Sequence, residues 1–134
     1  MPETGERSKY YQAGAGGGAG GGPETGVVLV YATFPGADAA KAVARALVAG
    51  RLAACVNVIP GMTAIYEWEG GVHEDDEVVA IIKTQRSRAA EVFAAVKAAH
   101  TYANPALLAV DVQAGAQEYL AWVRAQTEIQ PSAT

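Results

Sequence analysis

Residues 52–85 read LAACVNVIPGMTAIYEWEGGVHEDDEVVAIIKTQ, two long β-rich runs folded back on each other at Glu69-Gly70-Gly71-Val72. A Gly-Gly pair between such runs supplies the positive φ angles that two-residue hairpin turns require. On the way in, Met62, Ala64, Tyr66 and Trp68 alternate with Thr63, Ile65, Glu67 and Glu69; on the way out, Val78, Ala80 and Ile82 alternate with Val79, Ile81 and Lys83. That period of two is the strand signature. Arms of about 15 residues would each reach roughly 50 Å at ~3.3 Å per residue, against a usual strand of about 5 to 6 residues. A small domain cannot cover such a ribbon. The arm is therefore expected to break at Pro60-Gly61, where proline removes a ladder donor and glycine permits a bulge, and its far end is expected to pack on another subunit.

The flanking sequence completes one fold. VVLVYATF at 27–34 is a continuous apolar run of strand length, consistent with burial on both faces. After Pro35-Gly36, Asp38 is placed to cap a helix running to 49, with Ala40, Val43, Ala44 and Leu47 on one face and Gly50 as its stop. Beyond the hairpin, Ser87 is placed to cap a second helix in which Ala89, Val92, Phe93, Val96 and His100 share a face, broken at Asn104-Pro105. ALLAVDV at 106–112 reads as a fourth strand, and Gly115 opens a third helix with Tyr119, Leu120 and Val123 inward. Strand, helix, strand, strand, helix, strand, helix is the order of an α+β ferredoxin-like split βαβ sandwich, here with a long central hairpin and an added C-terminal helix. Right-handed crossovers put the first two helices on one face of the sheet. The other face needs cover, and subunit packing would supply it.

Composition bounds the function. The chain has 134 residues, 51% hydrophobic and 18% charged, with a net charge of −4 and no Lys/Arg run, which argues against nucleic acid or an anionic membrane as partner. Cys55 is the single cysteine, so no intrachain disulfide can form and a reducing, cytoplasmic compartment is the expectation. Residues 1–26 hold nine of the 15 glycines and repeat Pro-Glu-Thr-Gly at 2–5 and 23–26, a pattern slightly like a sortase tag. They read as a flexible leader, with a domain over 27–127 and a short tail at 128–134.

Four short motifs, in order and correctly spaced, resemble the CutA divalent-cation-tolerance family: Leu52-Ala53-Ala54-Cys55-Val56-Asn57 with Ile59-Pro60-Gly61, Tyr66-Glu67-Trp68-Glu69-Gly70, Ile82-Lys83-Thr84, and His100-Thr101-Tyr102 before Asn104-Pro105. The resemblance covers about residues 27–126. It implies a ferredoxin-like subunit in a tight cytoplasmic homotrimer with hairpins exchanged between neighbours, associated with copper and other divalent metals. The sequence departs from the family pattern at Thr101, Ala103, Ala106 and Asp111, where a proline, two glutamates and a later proline are usual.

Several side chains carry candidate chemistry. Lys83 shares a strand face with Val79 and Ile81, so it must snorkel, bind an anion or pair with a carboxylate, for which Glu67 is the candidate. His100 and Tyr102 match motif positions that, by the resemblance, line an inter-subunit cleft; Trp68 and Glu67 would join them there with Lys83. A core histidine is the plainer reading of His100. Cys55 reads either as a small buried thiol or as a soft ligand for Cu(I), three of which symmetry could gather. Glu74 and Asp76, in the run His73-Glu74-Asp75-Asp76-Glu77, are the further candidate metal ligands, although such a run is commonly a solvated edge that blocks aggregation. A two-residue turn at Gly70-Gly71 would set Glu67 opposite Glu74, a repulsion that a cation or a neighbour's basic residue would relieve. No phosphate loop, nucleophile elbow, Cys-x-x-Cys or His-Glu-x-x-His is present, so no enzyme is indicated and no cofactor is obligatory, copper or another divalent cation being the optional ligand. The expected function is that of a metal-tolerance trimer binding metal or a small ligand between subunits. The alternative is an effector-sensing scaffold trimer resembling the nitrogen-regulatory proteins.

Overall fold

A computed structural model describes residues 25–129. The expectations for the leader and the tail lie outside them, apart from residues 25–26 and 128–129. The elements are β1 (Val27–Phe34), α1 (Ala37–Ala49), β2 (Cys55–Trp68), β3 (Gly71–Gln85), α2 (Ala89–Ala99), β4 (Leu107–Asp111) and α3 (Gln117–Gln126), with a 3-10 turn at Arg86–Arg88 leading into α2. The sheet order is β2-β3-β1-β4 with every neighbouring pair antiparallel. This is the split βαβ arrangement expected from the element order, with the added helix at the end.

Burial follows the strand period. Val28, Val30, Ala32 and Phe34 of β1 and Val78, Ala80 and Ile82 of β3 point to the side covered by α1 and α2, where they meet Ala40, Leu47, Ala89, Val92, Phe93 and Val96 in the main core. On the opposite face a smaller cluster of Val27, Ala54, Leu120 and Val123 sits under α3. That helix covers only one end of the face. Ile59, Leu108 and Val110 remain exposed beside it.

The hairpin carries the largest departure from uniform geometry. Its arms are 14 and 15 residues long, but β1 has 8 and β4 has 5. The last β1 pair is Phe34 with Val78, and beyond it β3 has only β2 as partner. The expected bulge lies there: the register shifts between Ile59, opposite Val79, and Met62, opposite Glu77, which leaves Pro60 and Gly61 facing Val78. Gly61 takes φ 87, a conformation glycine adopts without penalty. Pro60 is tolerated because β2 is an edge strand.

Several local expectations are corrected. The tight turn is Glu69-Gly70, with φ 51 and 84, and not Gly70-Gly71, because Trp68 pairs with Gly71. That one-residue change sets Glu67 opposite Val72 and Glu74 opposite Ile65, so the two glutamates do not face each other. Asp38 lies in the first turn of α1 and the cap is Gly36, without a side-chain bond. Gly50 does end α1 as expected, and the left-handed residue that follows is Arg51 (φ 61), where Leu52 N–H closes on Leu47 O at 2.9 Å and Arg51 N–H on Val48 O at 3.0 Å, the paired bonds of a Schellman end. Ser87 does not cap α2; the preceding 3-10 turn places Arg88 there. Arg88 is buried and donates from Nε to Thr127 O at 2.9 Å and from Nη1 to Glu91 at 2.8 Å. Together with Gln85 Nε2, which donates to Thr127 O at 2.8 Å, it ties the end of α3 to the sheet. Tyr119 stays 42% exposed at the flank of α3, beside Lys83, while Leu120 and Val123 are buried.

Thr84, opposite Val28, is fully buried, and its hydroxyl meets no hydrogen-bond partner among the described residues. A buried unpaired hydroxyl costs about 1–3 kcal/mol relative to a methyl group of the same shape. Thr84→Val should therefore raise stability by about 1 kcal/mol or more in denaturant unfolding, and a lower midpoint would show that the hydroxyl has a partner in solution.

Candidate functional site

The end of β1 is where chemistry-bearing residues gather. α2 stops at Ala99, and His100 leaves the helical conformation with ψ 147 instead of continuing the apolar face. Its ring stacks on Phe34 with centroids 4.8 Å apart and meets the tilted Tyr102 ring at 4.7 Å. His100 Nε2 lies 2.6 Å from Thr33 O, and Tyr102 N–H donates to His100 Nδ1 at 3.1 Å. A carbonyl only accepts and a backbone N–H only donates, so Nε2 holds the proton and Nδ1 the lone pair. Both nitrogens are engaged within the chain, which is the core-histidine reading rather than an open ligand.

Tyr102 extends this centre to the ribbon, its hydroxyl donating to Glu77 Oε2 at 3.2 Å. On the same ribbon face the Tyr66 hydroxyl donates to Asp75 and its ring stacks on His73 at 5.7 Å; His73 Nε2 approaches Trp68 O at 3.3 Å. Both phenols are held above their ordinary pKa of 10.0. For Tyr66 the hydrogen bond to the Asp75 carboxylate is the main cause; for Tyr102 it is desolvation, followed by the charge of Glu77. Asp75, Glu77 and Tyr66 were not among the expected site residues. The signal was available in the period: His73, Asp75 and Glu77 alternate with Glu74 and Asp76 and so share a face.

The other expected residues lie elsewhere. Lys83 pairs across the ladder with Cys55, about 20 Å along β3 from Glu77. Its ammonium sits 5.5 Å from the centre of the Tyr119 ring, a cation–π contact that replaces the expected pairing with Glu67. Glu67 and Trp68 are at the hairpin tip, about 40 Å along the strand from Lys83. One chain therefore brings His100 and Tyr102 together but not Lys83, Trp68 or Glu67 with them. Nor does it join Cys55 to Glu74 and Asp76, which are seven or more residues away in register and on the opposite ribbon face. Cys55 is half-buried, and its Sγ accepts a long contact of 3.8 Å from Asn57 Nδ2. Among the described residues no three His, Cys, Asp or Glu side chains converge. The described residues of a single chain thus bring together no donor set for a closed metal site.

Fold and site define a ferredoxin-like α+β protein whose elongated hairpin carries a phenol–carboxylate face. The chain matches the CutA1 divalent ion tolerance protein family over residues 28–126, and it belongs to that family. The Divalent-cation tolerance protein CutA of Thermus thermophilus is 42% identical over 99 residues, 74% of this chain and 96% of the relative. The Protein CutA of Homo sapiens is 45% identical over 102 residues, 76% of this chain and 57% of the relative, so the match spans a little over half of that protein. Among solved structures, CutA1 from Oryza sativa is similar with a TM-score of 0.75 at 38% identity, covering 78% of this chain and 95% of that one. CutA from Xylella fastidiosa gives 0.75 at 34% identity, covering 77% and 99%. None of these names is that of an enzyme.

The raised phenols set a pH dependence. A tyrosine whose pKa is higher folded than unfolded stabilises fully below the unfolded value, and that contribution is lost as pH rises through the folded value. Stability should therefore decline above pH 10.0. In a spectrophotometric titration at 295 nm, Tyr66 and Tyr102 should ionise late, and Tyr66→Phe and Tyr102→Phe should each remove one late titration.

Proposed function

We propose that the chain acts as a cytoplasmic homotrimer in divalent-cation tolerance, without catalysis, binding a metal ion or small ligand between subunits. One observation carries the reading. Residues 62–77 form a two-stranded ribbon beyond the end of β1, with Ile65 65%, Trp68 59% and Val72 74% exposed, and an isolated two-stranded ribbon is at best marginally stable in water. Ile59, Leu108 and Val110 continue the exposed apolar surface across the uncovered sheet face. Exposed patches of this kind mark interfaces, and a closed ring of identical chains covers ribbon and face together. The single half-buried thiol suits a reducing compartment. Among the described residues no helix is long and apolar enough to cross a membrane.

A cation is then a ligand or cargo whose donors come from more than one chain. Cys55 supplies a soft donor and Glu74 and Asp76 hard ones, whereas His100 has no free nitrogen lone pair and the loop carries Ala103 and Ala106. A second reading, a small-anion effector site as in a sensing trimer, is favoured by Lys83, whose ammonium has the Tyr119 ring but no carboxylate within ion-pair distance among the described residues.

Multi-angle light scattering at micromolar concentration should give three times the chain mass, and a monomer would overturn the assembly. In calorimetric titrations with Cu and Zn, Cys55→Ser or the pair Glu74→Gln with Asp76→Asn should weaken binding by about tenfold or more, the scale on which metal sites respond to lost partners. His100→Ala should leave the affinity within about twofold. Loss of binding in His100→Ala alone would contradict the donor assignment. In the same instrument, phosphate binding that disappears in Lys83→Ala would favour the effector reading.

A further inference from the structure

We propose that His100 is a proton-operated clasp: its neutral ring fastens the 101–104 loop and, through Tyr102, the base of the ribbon to the body of the sheet, and protonation releases both. The argument rests on which atoms can donate. Thr33 O can only accept, so the 2.6 Å contact fixes the proton on His100 Nε2. Tyr102 N–H can only donate, so its 3.1 Å contact needs the lone pair on Nδ1. A second proton has no place to go but Nδ1. There it confronts the Tyr102 N–H donor to donor, and the bond is lost outright rather than weakened.

The ring cannot turn aside to avoid this. Phe34 stacks on it at 4.8 Å and Tyr102 packs against it at 4.7 Å, and a flip of the ring would carry a C–H to Thr33 O. The yielding part is the loop, since Thr101, Tyr102, Ala103 and Asn104 are all exposed and belong to no helix or strand. Tyr102 is also the residue that crosses from the loop to the ribbon, through its hydroxyl bond to Glu77 next to the bulge. The clasp thus acts at the place where β3 loses its β1 partner.

The charged surroundings are asymmetric. β1 brings no charge to the ring, only Thr33 O and Phe34. The ribbon brings Glu77 and, beyond it, Asp75 with Tyr66, and α2 has Lys97 in its last turn. Glu77 is satisfied by the Tyr102 hydroxyl while the clasp is closed. Once the loop swings away, the carboxylate loses that donor.

The test follows the Tyr102 amide in the full chain by hydrogen exchange, with protection corrected for intrinsic rates, between pH 7.5 and 5.5. In the wild type its protection should fall about fivefold or more, the scale of one lost hydrogen bond. In His100→Gln, whose amide donates to Thr33 O but gains no proton, protection should stay constant over the same range. His73→Gln, which removes the chain's other histidine, should respond as the wild type does. A flat wild-type profile, or an equal fall in His100→Gln, overturns the proposal. Should His100→Gln fail to fold, the ring nitrogens of the wild type decide: long-range 15N correlations at pH 7.5 must show a protonated Nε2 and a bare Nδ1, and the reverse tautomer or a cation there also overturns it.

Discussion

A hairpin nearly twice as long as the strands that support it is the constraint on which the rest of the structure depends. β2 and β3 run through 14 and 15 residues, while β1 offers eight positions of support and β4 five. The supported half behaves as ordinary sheet, with one face sealed by α1 and α2. The unsupported half must find its stability outside the main core. The Pro60-Gly61 bulge stands opposite Val78, the last β3 residue that β1 holds, so the ribbon changes direction where its support ends. Bulges increase twist and re-aim a strand, and this one sets the course of the aromatic tip, Tyr66 and Trp68, relative to the body.

Much of the fold was legible because periodicity and punctuation agreed. The 27–34 run became the buried strand β1, Pro60-Gly61 became the bulge, and the element order gave the topology without ambiguity. The misses share a cause: they concern single residues at element ends, where tertiary contacts override local preference. Serine at 87 was the chemically natural choice for a helix start. Arg88 took that place, its Nε reaching Thr127 O at 2.9 Å, and after the stop at Gly50 the left-handed Arg51 reaches Ala125 O with Nη2 at 3.3 Å. No local rule reports a tether between residues some 40 or 70 positions apart.

The candidate site was legible in part for a related reason. His100 and Tyr102 could be picked out as a pair, since two residues in one loop stay together wherever the loop goes. Lys83, Glu67 and Trp68 could be joined to them only by assuming a second chain, and within one chain they lie far along the hairpin. The one-residue change in the turn reassigns every cross-strand neighbour of the ribbon, and the bond from Tyr102 to Glu77 starts in a loop whose place no strand register reports. With Glu69-Gly70 as the turn, Tyr66 pairs with His73, and Asp75, two residues further along the same face, receives its hydroxyl.

The strand period also divides the acidic run between two faces. Asp75 and Glu77 point to the face where phenols donate to them, and each such bond occupies acceptor capacity that a cation would otherwise use. Glu74 and Asp76 point the other way, opposite Ile65 and Thr63, and are exposed. A hard divalent ion needs several oxygen ligands, and two exposed carboxylates on a bare ribbon supply too few. What the ribbon offers is two exposed carboxylates on one face and a satisfied, hydrogen-bonded network on the other. Under the assembly proposed above, the remaining ligands would come from whatever covers the ribbon, so that assembly and cation recognition would be a single problem in surface burial.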